Sequence, residues 1–119
     1  MSKTDYKSIV KKLKFEGRAY INGKYVDAID GGKFTNINPA TGETLCSVAK
    51  CNHKDVDLAV KISRKAFDSG VWSRSTPEHR KEVLLTFAEL LRKHGVENSV
   101  LECVDTGKLI ADCINEVAN

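Results

Sequence analysis

The sequence predicts an α/β fold in which an antiparallel β meander is followed by three to four helices. Two observations carry this prediction. Between residues 18 and 49, short apolar segments alternate with turn-forming residues, which is typical of antiparallel strands. From residue 52 onward, apolar residues recur at intervals of three and four, which is typical of amphipathic helices. The 119 residues suffice for one domain and contain no low-complexity tract.

The strands are predicted from the turn residues that separate them. Asn22 and Gly23 readily adopt the positive φ angles of a type I′ turn, and the segments on both sides carry tyrosine with isoleucine or valine. Turn-forming clusters at residues 30–32 and 39–42 precede the next two strands. Such short strands at the start of a chain are expected to lie on a body formed by other sequence.

The first two helices after the strands have recognisable ends. Asn52 is a capping residue, the acids that follow it suit the positive end of the helix dipole, and Gly70 closes the apolar pattern. Residues 75–78 combine a capping hydroxyl, an early proline and a capping-box glutamate, which predicts the start of the second helix. Gly95 is expected to end that helix in a left-handed conformation.

A third helix is expected over about residues 97–104 and ends near Gly107, and the apolar spacing of residues 110–117 predicts a last helix with no stop signal before Asn119. At least three of the helices present apolar faces, while the parallel strands that would cover such faces are absent from the sequence. We therefore expect the 119-residue chain to pack loosely by itself and to bind a hydrophobic dye.

The positive charge is concentrated at the N-terminus. The net charge is +3, and residues 1–18 contain six basic and two acidic residues. Apolar residues at helical spacing lie between the lysines, so residues 1–17 are interpreted as a basic helix that precedes residues 18–119, the incomplete N-terminal part of an α/β domain. The sequence shows no nucleic-acid motif and no run of about 20 apolar residues, and its first residues do not form an apolar stretch followed by a small-residue cleavage site. We expect neither nucleic acid nor membrane as a partner, and a cytoplasmic location.

The cysteines do not form a recognisable site. Cys46, Cys51, Cys103 and Cys113 include no C-x-x-C pair and no histidine at zinc-ligand spacing, which predicts free thiols. Cys103 and Cys113 fall at apolar helix positions, where core filling is favoured over catalysis. The three histidines have no partner at a motif spacing, so we expect them at surface or cap positions and predict no catalytic residue.

Four segments contain characteristic sequence motifs and occur in a fixed order. They are Y-I-N-G at residues 20–23, N-P-x-T-G-E at residues 38–43, D-V-D-L-A-V at residues 55–60, and L-E-x-x-D-x-G-K at residues 101–108. Together they resemble the N-terminal part of the NAD(P)-dependent aldehyde dehydrogenases over about residues 20–115. The D-T-G-K wording and the N-terminal helix are most similar to the branch that acts on aminoaldehydes.

The resemblance implies a Rossmann-like cofactor-binding domain and the oxidation of a small aldehyde to a carboxylic acid. In that family a cysteine thiolate forms a thiohemiacetal, hydride passes to NAD or NADP, and a glutamate helps water to release the acid. The glycine-rich cofactor turn, the glutamate segment and the nucleophile segment do not occur in these 119 residues, and none of the four cysteines matches the nucleophile. We therefore expect an N-terminal fragment, inactive by itself and without cofactor-binding residues, of an enzyme that is a homo-oligomer when complete.

One site of the family corresponds to residues of this chain. The resemblance implies a monovalent cation, sodium or potassium, held by a main-chain oxygen of Ile37, with Asn36 as a second candidate, and by Asp105. Carboxylate and main-chain oxygens are suitable ligands for such hard cations. The alternative for Asp105 is a capping or ion-pairing role at the end of a helix.

The sequence departs from the family pattern in two places, Asn98 and the pair Gly95–Val96. Asn98 replaces an aliphatic residue and would cost about 1–3 kcal/mol if it were buried without a partner. Gly95 with Val96 makes a weaker helix joint, because glycine costs about 1 kcal/mol relative to alanine inside a helix.

The alternative function is a non-catalytic, truncated member of the family that acts as an interaction module.

Overall fold

The computed structural model describes residues 4–118, without the side chains of residues 117 and 118. Its fold is α/β, as predicted, with short antiparallel strand pairs and five helices. The elements are α1 (Tyr6–Val10), β1 (Ala19–Ile21), β2 (Lys24–Val26), β3 (Lys33–Ile37), β4 (Thr44–Ala49), α2 (His53–Ser69), α3 (Pro77–Lys93), α4 (Gly95–Thr106) and α5 (Ile110–Ala118).

The chain divides into two compact units. The first contains the described parts of residues 1–15, 36–45 and 85–119, and the second contains residues 16–35 and 46–84. The strands form two separate two-stranded sheets, β1–β2 and β3–β4, so within the described residues β2 does not continue the meander by pairing with β3.

In the second unit, the β1–β2 hairpin turns at the predicted dipeptide. Asn22 and Gly23 have φ angles of 56° and 75°, which a type I′ turn requires. Tyr20 lies opposite Tyr25 in the antiparallel register, and the two rings meet edge to face with centroids 5.1 Å apart. The prediction of this hairpin is confirmed.

Helix α2 begins at a complete capping box. The Asn52 side chain accepts a hydrogen bond from the backbone N–H of Lys54 at 2.8 Å, and the Asp55 carboxylate accepts one from the backbone N–H of Asn52 at 2.9 Å. The same carboxylate also accepts from the N–H of Ile29 at 2.8 Å, and Asp55 is only 3% exposed. Asp55 therefore joins the chain before β3 to the start of α2, which its sequence position as a helix-dipole acid did not reveal. Gly70 ends the helix at φ 78°, as predicted.

Helix α3 begins where the sequence indicates, but its cap differs in detail. The Thr76 hydroxyl accepts a hydrogen bond from the backbone N–H of His79 at 3.2 Å, so Thr76 is the capping residue. Glu78 follows Thr76 by two residues, whereas a capping box needs an acid three residues after the N-cap. Glu78 lies in the first turn of α3, where its negative charge interacts favourably with the helix dipole. Helix α3 ends at Lys93, close to the predicted stop. Gly95 is not left-handed and begins α4, with His94 as its N-cap, so the predicted left-handed conformation of Gly95 is wrong.

The first unit is built on α4. Helix α4 packs against both α1 and α5. The most buried side chains of this unit are those of Val100 and Ser99 on α4, at 2% and 1% exposure, and of Cys113 on α5, at 0%. The Ser99 hydroxyl donates to the carbonyl of Gly95 at 2.8 Å and lies 3.2 Å from the carbonyl of Cys113. The buried hydroxyl of Ser99 is therefore hydrogen-bonded at the place where α4 meets α5.

Much of the apolar surface of the helices is uncovered. Among the described residues, the buried hydrophobic side chains are only Ala28, Val100 and Cys113. The face predicted for α3 is exposed at Val83, Leu84, Phe87, Leu90 and Leu91, as is Leu85. This agrees with the expectation that these faces need additional structure to cover them. No helix in the described part of the chain combines the length and the apolar character that a bilayer span needs.

Candidate cation site at the end of strand β3

The residues after β3 form a tight turn that fixes the end of the strand. The N–H of Asn38 donates to the carbonyl of Glu43 at 2.8 Å, and the N–H of Gly42 donates to the carbonyl of Asn38 at 2.8 Å. The Asn38 side chain accepts from the N–H of Ala40 at 2.9 Å, which is the local bond that makes asparagine suitable for turns. The main chain at Ile37 therefore leads into a segment held by its own hydrogen bonds.

Asp105 lies in the last turn of α4, which ends next to this turn. The N–H of Gly107 donates to the carbonyl of Cys103 at 3.0 Å, and Gly107 has a φ angle of 76°, which any larger residue would find strained. A Cβ atom at Gly107 would lie 3.0 Å from Cγ of Pro39. Glycine therefore permits both the left-handed end of α4 and the close approach of the N-P turn.

Asn36 joins β3 to the end of α4 directly. Its Nδ2 donates a hydrogen bond to Oδ1 of Asp105 at 2.5 Å, across 69 positions in the sequence. Because Ile37 is the next residue, the structure brings the strand end to the predicted carboxylate. The sequence had suggested Asn36 only for its main-chain oxygen; nothing in a single sequence reveals a side-chain contact between positions so far apart.

Asp105 has no cationic side-chain partner in the part of its unit that the structure describes. Lys108 instead contacts the Glu116 carboxylate and lies 3.7 Å from that of Glu102, and the bond to Glu116 raises the pKa of Lys108. Asp105 also lies at the negative end of the α4 dipole. Among the described residues, Asp105 therefore has the Asn36 side chain as a partner and no cationic side chain.

The donors available here suit a hard monovalent cation. They are the Asp105 carboxylate, the main-chain oxygens around Ile37 and the carbonyl end of the Asn36 carboxamide, all oxygen ligands. Residues 4–118 hold no group of three or more His, Cys, Asp and Glu side chains that could bind a metal. A cation at this position would therefore depend largely on main-chain and amide oxygens.

The cysteines differ in their accessibility. All four thiols are free, as predicted; Cys51 is exposed, Cys46 and Cys103 are half-buried, and Cys113 is buried. Burial raises the pKa of the Cys113 thiol, and the nearby charge of Glu102 contributes in the same direction. A raised pKa reduces the thiolate fraction, so Cys113 has the character of a core residue.

We expect this difference to appear in thiol labelling. With iodoacetamide at neutral pH, Cys51 should be modified quickly, whereas Cys113 should react roughly 100-fold more slowly because labelling requires local opening of the α4–α5 pair. Peptide mass spectrometry over a time course measures both rates, and labelling in denaturant serves as the control. Equal rates for the two cysteines in the folded protein would contradict the burial of Cys113.

The histidines lie at surface and cap positions, as expected. His53 begins α2 and is exposed, and the ring of His79 meets that of Trp72 edge to face with centroids 6.4 Å apart. His94 is the N-cap of α4, and its Nδ1 lies 3.2 Å from Oε2 of Glu97. These contacts stabilise local structure and do not form a catalytic arrangement.

The described part of the chain thus consists of two short antiparallel strand pairs and five helices, with the N-P turn close to the end of α4. A profile of the aldehyde dehydrogenase family matches residues 25–119. The chain belongs to this family.

The relatives include enzymes that act on several aldehydes. The chain is 44% identical to the aminoacetaldehyde dehydrogenase of Pseudomonas aeruginosa over 113 residues, which are 95% of this chain and 23% of the relative. It is similar in structure to the γ-glutamyl-γ-aminobutyraldehyde dehydrogenase of Burkholderia cenocepacia, with a TM-score of 0.92, 43% identity and coverage of 96% of this chain and 23% of the other.

A second solved structure is that of the indole-3-acetaldehyde dehydrogenase AldA of P. syringae, a mutant in complex with NAD⁺. Its TM-score is 0.90, its identity is 43%, and the match covers 92% of this chain and 22% of that protein. The chain thus spans less than a quarter of the length of these relatives.

Proposed function

We propose that this chain serves as the N-terminal part of an NAD(P)⁺-dependent aldehyde dehydrogenase, which oxidises an aldehyde to a carboxylic acid. The observation that carries the proposal is the family match over residues 25–119, which covers both the N-P turn and the D-T-G-K segment. The catalytic and cofactor-binding groups are proposed to lie outside the 119 residues. The segment itself supplies scaffold and the candidate cation site.

The substrate class that we propose is a small aldehyde, with aminoaldehydes favoured. The support comes from the names of the relatives, two of which act on aldehydes that carry an amine-derived nitrogen. The proposal also includes NAD⁺, which is bound in solved relatives, and a homo-oligomeric, cytoplasmic enzyme. Free cysteines are in keeping with a reducing compartment.

A chimeric enzyme tests the proposal. The matching N-terminal segment of the P. aeruginosa aminoacetaldehyde dehydrogenase is replaced by residues 4–118 of this chain, and NADH formation from aminoacetaldehyde is followed by absorbance. We expect the chimera to retain a kcat within about tenfold of the parent enzyme, because the segment contributes no reacting group. The purified 119-residue chain alone should form no NADH.

The control is a second chimera that carries Gly17→Val, whose side chain would overlap the backbone of Ser47. This variant should misfold the segment and abolish activity. A folded, soluble chimera without activity would contradict the proposal that the segment can serve this enzyme. NADH formation by the 119-residue chain alone would contradict the assignment of the chemistry to residues outside it.

We propose further that a sodium or potassium ion binds between the main-chain oxygen of Ile37 and the carboxylate of Asp105. The support is the 2.5 Å bond that brings Asn36 to Asp105, the lack of an ion pair for Asp105 in the described part of the chain, and its place at the negative end of α4. The ion is proposed to join the end of β3 to the end of α4, and so to have a structural role.

The cation proposal predicts that the active chimera is stabilised by sodium or potassium chloride relative to tetramethylammonium chloride at equal ionic strength. An ion present at about ten times its Kd contributes about 1.4 kcal/mol, which should raise the thermal midpoint of an enzyme of the relatives' length by about 1–2 °C. Asp105→Asn should remove this difference, whereas Asp112→Asn, on an exposed acid of α5, should leave it intact. If both variants respond to the salts as the parent does, Asp105 does not bind the cation.

A further inference from the structure

The β1–β2 hairpin turns at Asn22 and Gly23, two residues with no part in the proposed oxidation. Both are exposed, and their φ angles are 56° and 75°. Among the described residues, the Asn22 carboxamide has no hydrogen-bond partner and the N–H of Gly23 makes no hydrogen bond. A Cβ atom at Gly23 would meet nothing within 4 Å. The side-chain amide of Asn22 and the backbone nitrogen of Gly23 are therefore both unhindered.

The hairpin that contains this turn is small. It is a separate two-stranded sheet within the described residues, and each strand has three residues. The contacts across it include the ring pair of Tyr20 and Tyr25 and the Arg18 guanidinium, 5.7 Å from the centroid of the Tyr25 ring. An isolated strand pair of this size is only marginally stable in water and opens often. Opening lets the backbone of Asn22 rotate away from the turn conformation.

Asn52 has the opposite surroundings. Its side-chain oxygen accepts a hydrogen bond from the N–H of Lys54 at 2.8 Å, and its Nδ2 donates to Oδ2 of Asp30 at 2.5 Å. Rotation of this carboxamide toward the backbone would break both bonds. The next residue is His53, whose side chain hinders its own backbone nitrogen, whereas Gly23 has no side chain.

We propose that Asn22 is a site of spontaneous deamidation, in which the backbone nitrogen of Gly23 attacks the side-chain amide. A bond forms from this nitrogen to Cγ of Asn22, the Cγ–Nδ2 bond breaks, and ammonia leaves with the proton of the Gly23 N–H. Water then opens the resulting succinimide. Cleavage between the nitrogen and Cγ gives aspartate, whereas cleavage between the nitrogen and the main-chain carbonyl carbon gives isoaspartate. The reaction needs only water, so it is independent of the proposed enzymatic activity.

The two products should affect the hairpin differently. Aspartate followed by glycine suits a type I′ turn as well as asparagine does. Isoaspartate directs the chain through the former side chain and adds a methylene group to the backbone. This longer backbone does not fit the two-residue turn that pairs Ile21 with Lys24. Formation of isoaspartate should therefore separate β1 from β2.

The test follows each asparagine of the 119-residue chain by peptide mass spectrometry during incubation at mildly alkaline pH. The rates are measured in the folded chain and in guanidinium chloride, and peptide fragmentation distinguishes isoaspartate from aspartate. We expect Asn22 in the folded chain to react within about tenfold of its rate in denaturant, because the hairpin opens often. In the folded chain, Asn52 should react at least about tenfold more slowly than Asn22.

A pair of tyrosine variants tests the contribution of the hairpin. Tyr25→Ala removes the ring contact with Tyr20 and should raise the rate at Asn22 in the folded chain by about threefold. Tyr6→Ala makes the same change on α1 in the first unit and should leave this rate unaltered. The rate in denaturant should be the same for both variants and the parent.

Three results would overturn the proposal. The first is a rate at Asn22 that is more than about tenfold lower in the folded chain than in denaturant, which would show that the hairpin protects this residue. The second is an equal rate at Asn22 and Asn52 in the folded chain. The third is an equal effect of the two tyrosine variants on Asn22, because the reaction would then not depend on opening of the hairpin.

Discussion

Replacement of Gly17 by alanine is expected to lower the stability of the second unit by about 3 kcal/mol, because the added methyl group would overlap the backbone of β4. A Cβ atom at Gly17 would collide with the carbonyl oxygen of Ser47, lie 2.9 Å from its carbonyl carbon and lie 3.1 Å from Cα of Val48. The carbonyl of Gly17 accepts a hydrogen bond from the N–H of Ala49 at 2.7 Å, so the two segments cannot separate without losing this bond.

Thermal unfolding and amide exchange measure the effect of Gly17→Ala. The midpoint should fall by about 10 °C, and the Ala49 amide should lose its protection first. Gly31→Ala is the matched control in the same unit. Gly31 has a φ angle of 69° but open space around its Cβ position, so alanine there should cost only about 1 kcal/mol of backbone strain. If the two variants were equally stable, the close contact at Gly17 would not be a constraint on the fold.

Removal of the Asp55 carboxylate should cause the second large loss of stability. Asp55→Ala removes the acceptor for the N–H groups of Asn52 and Ile29 and leaves both of these donors without their partner. We expect the thermal midpoint to fall by about 5–10 °C at neutral pH. Asp57→Ala, on an exposed acid of the same helix, is the control and should change the midpoint little. Equal effects at the two positions would contradict a specific role for Asp55.

The effect of Asp55 should also depend on pH. The hydrogen bond from the N–H of Asn52, followed by that from Ile29, lowers the pKa of Asp55 below its ordinary value of 3.8. Since the folded-state pKa is the lower one, the carboxylate stabilises the fold fully above about pH 3.8, and this stabilisation declines as the pH falls toward the folded-state pKa.

The measurement is the difference in midpoint between the parent and Asp55→Asn across pH 2 to 7. This difference should be constant near neutral pH and should shrink below about pH 3.8. A difference that grows in acid would show that the sign of the pKa shift, and therefore the hydrogen bonding of Asp55, is wrong.

Local signals explain why the helix and hairpin boundaries were predictable. The Asn22–Gly23 turn, the Asn52 cap and the glycine stops at Gly70 and Gly107 each depend on the chemistry of a few neighbouring residues, and the structure has all of them. Gly95 was misjudged because glycine is compatible with both the end of one helix and the start of the next. The choice between these depends on the packing of α4, which local sequence does not record.

The candidate site was located by motif resemblance, and only its contacts came from the structure. The sequence motifs around Ile37 and Asp105 indicate the two segments of the site. That these segments lie close together depends on the hydrogen bond from Asn36 to Asp105 and on the close contact of Gly107 with Pro39. Both contacts join segments more than 60 positions apart. No local propensity can encode such contacts.

The family, the α/β class and the ends of most elements are predictable from the sequence, because they follow from sequence motifs, turn chemistry and apolar spacing. The polar contacts between distant residues, Asp55 with Ile29 and Asn36 with Asp105, are visible only in the folded chain. The physical reason is that hydrogen bonds and charges act over a few ångströms in space, whatever the separation of their residues along the chain.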